Sequence, residues 1–514
     1  MLSVSKNGMS LQDFYKVVFQ LEKLAIDAQC LEKIKASHKF LLDYSNDKII
    51  YGVNTGFGPM AQHIIPKEDL NQLQYNLIRS HASCSGNVLD EISCRAVVLG
   101  RLISLSRGYS GIHENTVELL VKLLNEQVSP LIYEHGGVGA SGDLTQLAHL
   151  ALGMIGEGEV YSNSKTRNTS DVFKEKNISP LQVHLREGLS LINGTSAMTG
   201  IGLINVINAK KLFYWHLMLC AFLNEITFAY DDHHSTSLNE AKKHQEQIEI
   251  AQTLRTILSD SKRTKNRYTN LESESSAEPI LKEKLQEFYS IRCVPQILGP
   301  IKRAIDNCEK VLLDELNSAN DNPIIDHEKK EIFHGGNFHG DYVSFEMDKL
   351  KIAITKLTML CERQINFLMN HKINDKLSPF INMATLGLNF GLQGMQFTAT
   401  STTAENQTLS FPMYVHSIST NNDNQDIVSM GTNSALMTKK VIENCFEVLG
   451  IGLMSALQAV DYLNIEKELS SKTQNYYKEF RGIVETIIED KPRYKEMKNL
   501  VEHLKSKDVN ETIF

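Results

Sequence analysis

Four glycines fall within seven residues in Gly136-Gly137-Val138-Gly139-Ala140-Ser141-Gly142-Asp143, and an apolar run over 144–155 follows directly. Glycine reaches positive φ and lets one stretch of backbone pass close to another. Asp143 stands where a helix N-cap belongs, and Leu144, Leu147, Leu150 and Leu152 follow at roughly helical spacing. The spacing predicts a contorted loop pressed against a helix start. Three chemistries compete for it. A phosphate loop would close on Lys-Ser or Lys-Thr, which is missing here. The hydrolase elbow Gly-x-Ser-x-Gly fails because Asp143 holds its last glycine position. The third is an Ala-Ser-Gly tripeptide that reacts with itself. A glycine-rich turn before a core helix would carry the same letters, so the rest of the chain must decide.

The elements that have to position this loop read as mainly α. Ser10-Leu11-Gln12-Asp13 opens a first helix like a capping box with Asp in the place of Glu. Residues 48–58 look extended and then form a glycine-bearing loop. Helices are expected over 68–107, with Arg79-Ser80-His81 mid-course, and over 114–128. Residues 159–187 read as a pair of short strands with loops around Pro180, and 188–195 as a second buried turn. From there helices dominate. The stretch 341–370 has no Gly or Pro, and Leu350, Ile354, Leu357, Cys361, Ile365 and Leu368 step through it by three or four. Residues 435–465 repeat the pattern with apolar residues most of the way round, as a helix buried among helices does. The expected architecture is an elongated long-helix bundle (196–514, with peripheral helices after Lys467) and a smaller N-terminal domain carrying the glycine loop (1–195). Residues 259–276, charged and serine-rich, are the expected mobile loop.

Composition removes several function classes. A net charge of −8 argues against a nucleic-acid or anionic-membrane partner. Eight cysteines lie scattered with no Cys-x-x-Cys, which suits reduced thiols in the cytoplasm better than a disulfide framework. Residues 1–9 lack a signal peptide's apolar core, and the most apolar run, 212–223, carries His216 and is too short to span a bilayer. A soluble cytoplasmic protein is expected.

Seven segments together carry a resemblance. They are Tyr51-Gly-Val-Asn-Thr-Gly-Phe-Gly, Gly139-Ala-Ser-Gly-Asp, Leu191-Ile-Asn-Gly-Thr, Tyr289-Ser-Ile-Arg-Cys-Val-Pro-Gln, Asn320-Asp-Asn-Pro, Gly336-Asn-Phe-His and Asn424-Gln-Asp. In order and spacing, from about residue 10 to about 465, the chain resembles the aromatic amino-acid ammonia-lyases and aminomutases that use a methylidene-imidazolone (MIO) group. The resemblance implies that the backbone nitrogen of Gly142 attacks the carbonyl of Ala140. Loss of water, including the oxygen of Ser141, then leaves an exocyclic alkene. That electrophile would take up the substrate amine, so no external cofactor is needed. It further implies Tyr51 as the base for the β-proton, its phenol needing a pKa below the usual value of about 10. Tyr289 would be a second tyrosine beside the group, and Arg292 a bidentate clamp on the substrate carboxylate. Asn193 and Gln286 would hold the prosthetic oxygen or the amino-acid head group, with Phe338 packed alongside. His334 and His339 flank Phe338, but no third ligand stands at metal spacing, so they read as structural, as do His233 and His234. The family also implies a homotetramer whose sites draw on more than one chain.

Substrate choice rests on two places. Ser80-His81 is similar to the Ser-His pair of histidine ammonia-lyases, whereas Asn424-Gln425-Asp426 matches the phenylalanine and tyrosine enzymes, which lack the imidazole-binding Glu. The stretch from Leu73 to His81 looks most like bacterial tyrosine ammonia-lyases. The expectation is L-tyrosine converted to trans-p-coumarate and ammonia. Histidine ammonia-lyase is the alternative, followed by a phenylalanine ammonia-lyase or a 2,3-aminomutase. From a different class, a non-catalytic helical scaffold would leave the tripeptide unmodified.

Overall fold

The computed structural model describes residues 1–46, 48–267, 269 and 284–507. Of the expected mobile loop, residues 268 and 270–276 lie outside the described residues. The fold is mainly α, as the periodicity implies. It divides into two compact units, each drawn from three stretches of chain. The first comprises Met1–Ile207, Asn307–Asp348 and Pro412–Lys439; the second comprises Asn208–Asp306, Lys349–Phe411 and Lys440–Phe514. The sequence-based boundary is a single cut at 195/196, which spatial grouping of this kind does not follow.

In the first unit, local signals set most elements. Ser10 caps Leu11–Val18, its Oγ accepting from the Asp13 N–H at 3.1 Å and donating to the Asp13 carboxylate at 2.7 Å. The helix expected over 68–107 is two helices, Leu70–His81 and Glu91–Leu105, separated by the strand Ser85–Val88. Gly86 sits at φ +86° there, which an α-helix cannot contain, and Asp90 restarts the helix by accepting from the Ser93 N–H at 2.7 Å. Likewise the helix expected over 114–128 ends at Asn125, ahead of Gln127 at φ +54°. Residues 159–187 hold the expected hairpin, Glu159–Ser162 with Lys165–Asn168, and a helix not expected, Thr169–Glu175. The hairpin joins Val128–Pro130 in a three-stranded antiparallel sheet.

The segment expected as a buried turn over 188–195 is mostly a short helix, Glu187–Ile192, and two buried arginines tie it to its surroundings. Arg101, on Glu91–Leu105, donates to Asn320 Oδ1 at 3.2 Å and to the Ser190 carbonyl. Arg186 donates to Ser190 Oγ at 2.7 Å and to the Pro323 carbonyl at 2.5 Å, and pairs with Asp321 at 3.4 Å. Burial pushes the Arg101 guanidinium down to about 10. A guanidinium N–H left unmet in the interior is costly, so these contacts hold the helix Glu187–Ile192 in place.

The second unit is built on long helices. Ser196–Thr227, Val294–Leu316, Asp341–Met369 and Gly431–Leu463 each contribute residues to both units. Gly452 lets Cys361 and Leu219 approach the Gly431–Leu463 backbone, where an added Cβ would lie 2.8 Å from Cys361 Sγ. Gly431–Leu463 is long and apolar enough to cross a membrane, but 78% of its most apolar window is buried within the protein. Trp215 is fully buried against Tyr476 and Phe480 and donates from Nε1 to the Leu504 carbonyl at 3.1 Å, which docks the helix Tyr494–Ser506.

Candidate active site

The loop over 136–143 is held almost entirely by its backbone. Gly139 and Gly142 lie at φ +74° and +71°, and a Cβ on either would come within 2.1 Å of another atom, Ser429 Oγ and the Gly194 carbonyl oxygen respectively. No other residue fits either position. The Asp143 N–H donates to the Gly194 carbonyl at 2.8 Å, the Met430 N–H to Val138 at 2.9 Å, and the Gly340 N–H to Gly139 at 3.1 Å. Asn193 Nδ2 donates to the Ser141 carbonyl at 3.0 Å, and His339 Nδ1 to the Ala140 carbonyl at 3.2 Å. The carbonyls that flank Ser141 therefore each face a side-chain donor.

Asp143 precedes the helix Leu144–Met154 as the sequence implies, but its side chain does not cap that helix. Its carboxylate instead accepts from the N–H groups of Ala197 and Met198 at 2.8 and 2.9 Å and from Thr432 Oγ1 at 2.5 Å. It thus caps Ser196–Thr227 from a distant part of the chain. Burial raises it to about 6, against the pull of these hydrogen bonds. Leu144–Met154, Ser196–Thr227, Asp341–Met369 and Gly431–Leu463 all begin at residues bonded to or adjoining this loop. Their positive ends favour negative charge beside it.

A pocket of about 360 Å³ opens on Ser141. Tyr51, Ser80, His81, Asn193, Phe338, Asn424 and Gln425, all expected from sequence, line it. Tyr51's phenol oxygen accepts from the Gly58 N–H at 3.0 Å, a contact that favours negative charge on that oxygen. His81 Nδ1 lies 3.0 Å from the Leu77 carbonyl, which can only accept, so Nδ1 carries the proton and Nε2 is left as an acceptor. Burial lowers the His81 pKa and keeps the ring neutral, partly opposed by that hydrogen bond. Gln425 Nε2 donates to Ser141 Oγ at 3.0 Å.

Sequence reasoning did not single out Leu144, Leu189 and Ile192 as apolar walls, nor Asn322, whose N–H donates to Asn193 Oδ1 at 2.9 Å. Asn322 stands inside the quoted Asn320-Asp-Asn-Pro segment, so the signal was present without a role. Asn76 and Asn421 also line the pocket; Asn76 falls one helical turn before Ser80.

Known proteins resemble this chain over most of its length. A model of the aromatic amino acid lyases matches residues 9–482. This chain belongs to that family. It is 37% identical over 510 residues to a histidine ammonia-lyase of Bacillus subtilis, covering 99% of this chain and 97% of the relative. It is 36% identical over 473 residues to a tyrosine 2,3-aminomutase of Chondromyces crocatus, covering 91% and 89%. Among solved structures, the phenylalanine aminomutase of Pantoea agglomerans superposes with a TM-score of 0.95 at 33% identity, covering 99% of each chain.

The family is MIO-dependent, and the group forms from the tripeptide, here Ala140-Ser141-Gly142, with no external cofactor. The loop fits it. Ring closure needs the Gly142 nitrogen brought to the Ala140 carbonyl, and the left-handed Gly142 with no room for a side chain is the backbone such closure requires. The remaining expected residues belong to the second unit and do not line the pocket. Arg292 donates to Gln286 Oε1 and lies 4.7 Å over the Tyr289 ring, which is 70% exposed. Among the described residues no three His, Cys, Asp or Glu side chains could hold a metal ion; His339 sits between Ala140 and Asp341, 3.2 Å from each.

Proposed function

We propose that this lyase-family chain eliminates ammonia from L-tyrosine to give trans-p-coumarate. The observation that carries the choice of tyrosine is His81. A neutral imidazole whose Nδ1 proton is committed to Leu77 offers an acceptor at Nε2, and a phenol O–H is its complement. Gln425, where histidine-specific relatives carry a carboxylate, supplies no anion for a substrate imidazole.

The MIO group supplies an electrophile that makes the amine a workable leaving group. This chain's own residues do the rest. Tyr51 removes the β-proton, and the Gly58 N–H steadies the charge left on its oxygen, a contribution of about 10²- to 10⁴-fold for a placed base. Asn193 holds the Ser141 carbonyl, which ring closure retains; His339 lies on the Ala140 carbonyl that the Gly142 nitrogen attacks, and Phe338 packs beside the tripeptide.

The substrate carboxylate needs a cation, and the pocket's described lining has neither Arg nor Lys. We assign that role to Arg292 of the partner subunit, with the partner's Tyr289 and the partner's Gln286 beside it, in a homotetramer. Leu386, Leu388, Phe390 and Phe397 are each more than half exposed, an apolar display that a second copy would cover. All eight thiols are free, which suits a cytoplasmic enzyme.

A 2,3-aminomutase shares the elimination and returns the amine to the β-carbon, and the tyrosine 2,3-aminomutase relative favours it as the second reading. The deciding experiment incubates the enzyme separately with L-tyrosine, L-histidine and L-phenylalanine. Near-ultraviolet absorbance follows the conjugated acids, and chromatography follows β-amino acids. Coumarate from tyrosine as the main product is expected. Urocanate formed faster than coumarate would overturn the substrate, and β-tyrosine as the main product would overturn the release step.

A further inference from the structure

His339 has an acceptor at each ring nitrogen. Nδ1 lies 3.2 Å from the Ala140 carbonyl oxygen, and Nε2 lies 3.2 Å from Asp341 Oδ1. A carbonyl and an ionised carboxylate can only accept, and a neutral imidazole has a single N–H. Both contacts are met together only when the ring carries two protons and a positive charge. Asp341 is the first residue of the helix Asp341–Met369, where negative charge is favoured. It fixes the ring and balances its charge.

The backbone decides which carbonyl the ring reaches. The His339 N–H donates to the Gly336 carbonyl at 2.9 Å, and the Gly340 N–H donates to the Gly139 carbonyl at 3.1 Å. With Gly340 docked on Gly139, the side chain before it falls on Ala140, the next carbonyl along the loop. The two carbonyls with side-chain donors have different fates. Closure expels the Ala140 oxygen as water, whereas the Ser141 carbonyl, held by Asn193 at 3.0 Å, stays in the ring. A donor placed on an oxygen that is lost has its use in the step that removes it.

We propose that His339 is the general acid of ring closure and that Asp341 is the residue that positions it. The Gly142 nitrogen forms its bond to the Ala140 carbon, the C=O π pair moves onto oxygen, and the imidazolium gives that oxygen a proton. The Gly142 N–H proton returns to the ring. A second proton from the ring lets the oxygen leave as water, while the Ser141 nitrogen gives up its own proton to the ring and a C=N bond forms. The imidazolium is restored, and no oxidant or other reactant enters. Loss of the Ser141 hydroxyl is a separate elimination in which this dyad takes no part. The inference rests on the family's tripeptide chemistry and not on the choice of tyrosine, because closure is read with no substrate present.

Closure is followed by mass. The full-length chain is made by cell-free synthesis, quenched at intervals and cut with trypsin, and the peptide Leu123–Lys165, which contains the loop and no internal Lys or Arg, is weighed. In the wild type this peptide should become lighter by two waters. His339→Gln keeps an N–H donor but has no proton to give up, so it should slow the mass loss by about 10²- to 10⁴-fold at an unchanged Tm. Asp341→Asn should slow it about tenfold, through loss of a charge-assisted hydrogen bond. In His339→Ala, added imidazole should restore the mass loss, and more so at about pH 6 than at about pH 9, since only the protonated ring has the proton to give. The proposal is overturned by His339→Gln losing its waters as fast as the wild type, or by imidazole that acts no better at the lower pH. Should His339→Gln melt lower than the wild type, Asp341→Asn decides alone, and closure at the wild-type rate overturns the proposal.

Discussion

Gln425 Nε2 donates to Ser141 Oγ across 3.0 Å, joining residues 284 positions apart in the chain. A strained turn delivers it. Asn421, Asn422 and Asp423 all take left-handed backbone, at φ +56°, +51° and +59°, and residues Thr420 and Gln425 bond each other's backbone across the turn at 3.1 and 3.2 Å. Left-handed backbone costs roughly 1–2 kcal/mol per ordinary residue, less for Asn and Asp. A turn of that kind persists where the side chain it presents has to be held in one place.

Gln425→Glu places a carboxylate at the same point, an anionic acceptor that pairs with a substrate imidazole N–H and favours its protonated form. The ratio of kcat/KM for L-histidine to that for L-tyrosine should rise by about a hundredfold, through recognition of the added N–H contact. Steady-state assays on both amino acids check it, and an unchanged ratio would remove Gln425 from substrate choice.

His81 should govern both phenol recognition and the acid limb of the pH profile. Its pKa lies below the ordinary 6.5, so the acceptor at Nε2 persists as pH falls and is lost only below about 6.5. The kcat/KM for tyrosine should therefore hold level down to that region. His81→Gln should lower it by about a hundredfold or more and flatten the limb, with a smaller loss for phenylalanine. A wild-type acid limb centred above pH 7 would assign it to another group.

Much of this site was legible because it is local. Positive-φ glycines at 139 and 142 and the leucine spacing after Asp143 specify a loop and a helix without reference to anything distant. The partners of the Asp143 carboxylate were not legible, since Ala197, Met198 and Thr432 reach it only through the tertiary fold. The break between His81 and Glu91 was masked by flanking residues with helical periodicity, although Gly86 marks it once its φ is known. Arg292 and Tyr289 stand in a recognisable motif, but a motif does not say which copy of the chain a side chain serves.

Asp143 should make stability fall as pH rises through the mildly acidic range. Its carboxyl titrates near 6 in the folded chain against an ordinary 3.8, so the folded state holds the proton longer. The contribution is full below pH about 4 and is lost by about 6, worth up to about 3 kcal/mol. Asp143→Asn keeps an acceptor for Ala197 and Met198 and does not titrate. Its Tm, relative to wild type at each pH, should rise by about 3 °C between pH 4 and 7. Parallel Tm curves would show that this carboxyl is not the titrating group.

Whether Arg292 serves its own chain's pocket or another's can be read from mixed enzyme. Tyr51→Phe and Arg292→Ala should each be nearly inactive, the first for want of a base and the second for want of a carboxylate clamp. If a pocket takes Tyr51 from one copy and Arg292 from another, random mixed tetramers contain sites intact in both. Half the pockets keep Tyr51 and half the donated arginines are present, so co-expression should restore about a quarter of wild-type activity. If both residues act within one chain, every site in the mixture lacks one of them and activity stays at the level of the single variants. The two outcomes differ by far more than assay error, and thermal melts of the mixture confirm that both variants assembled.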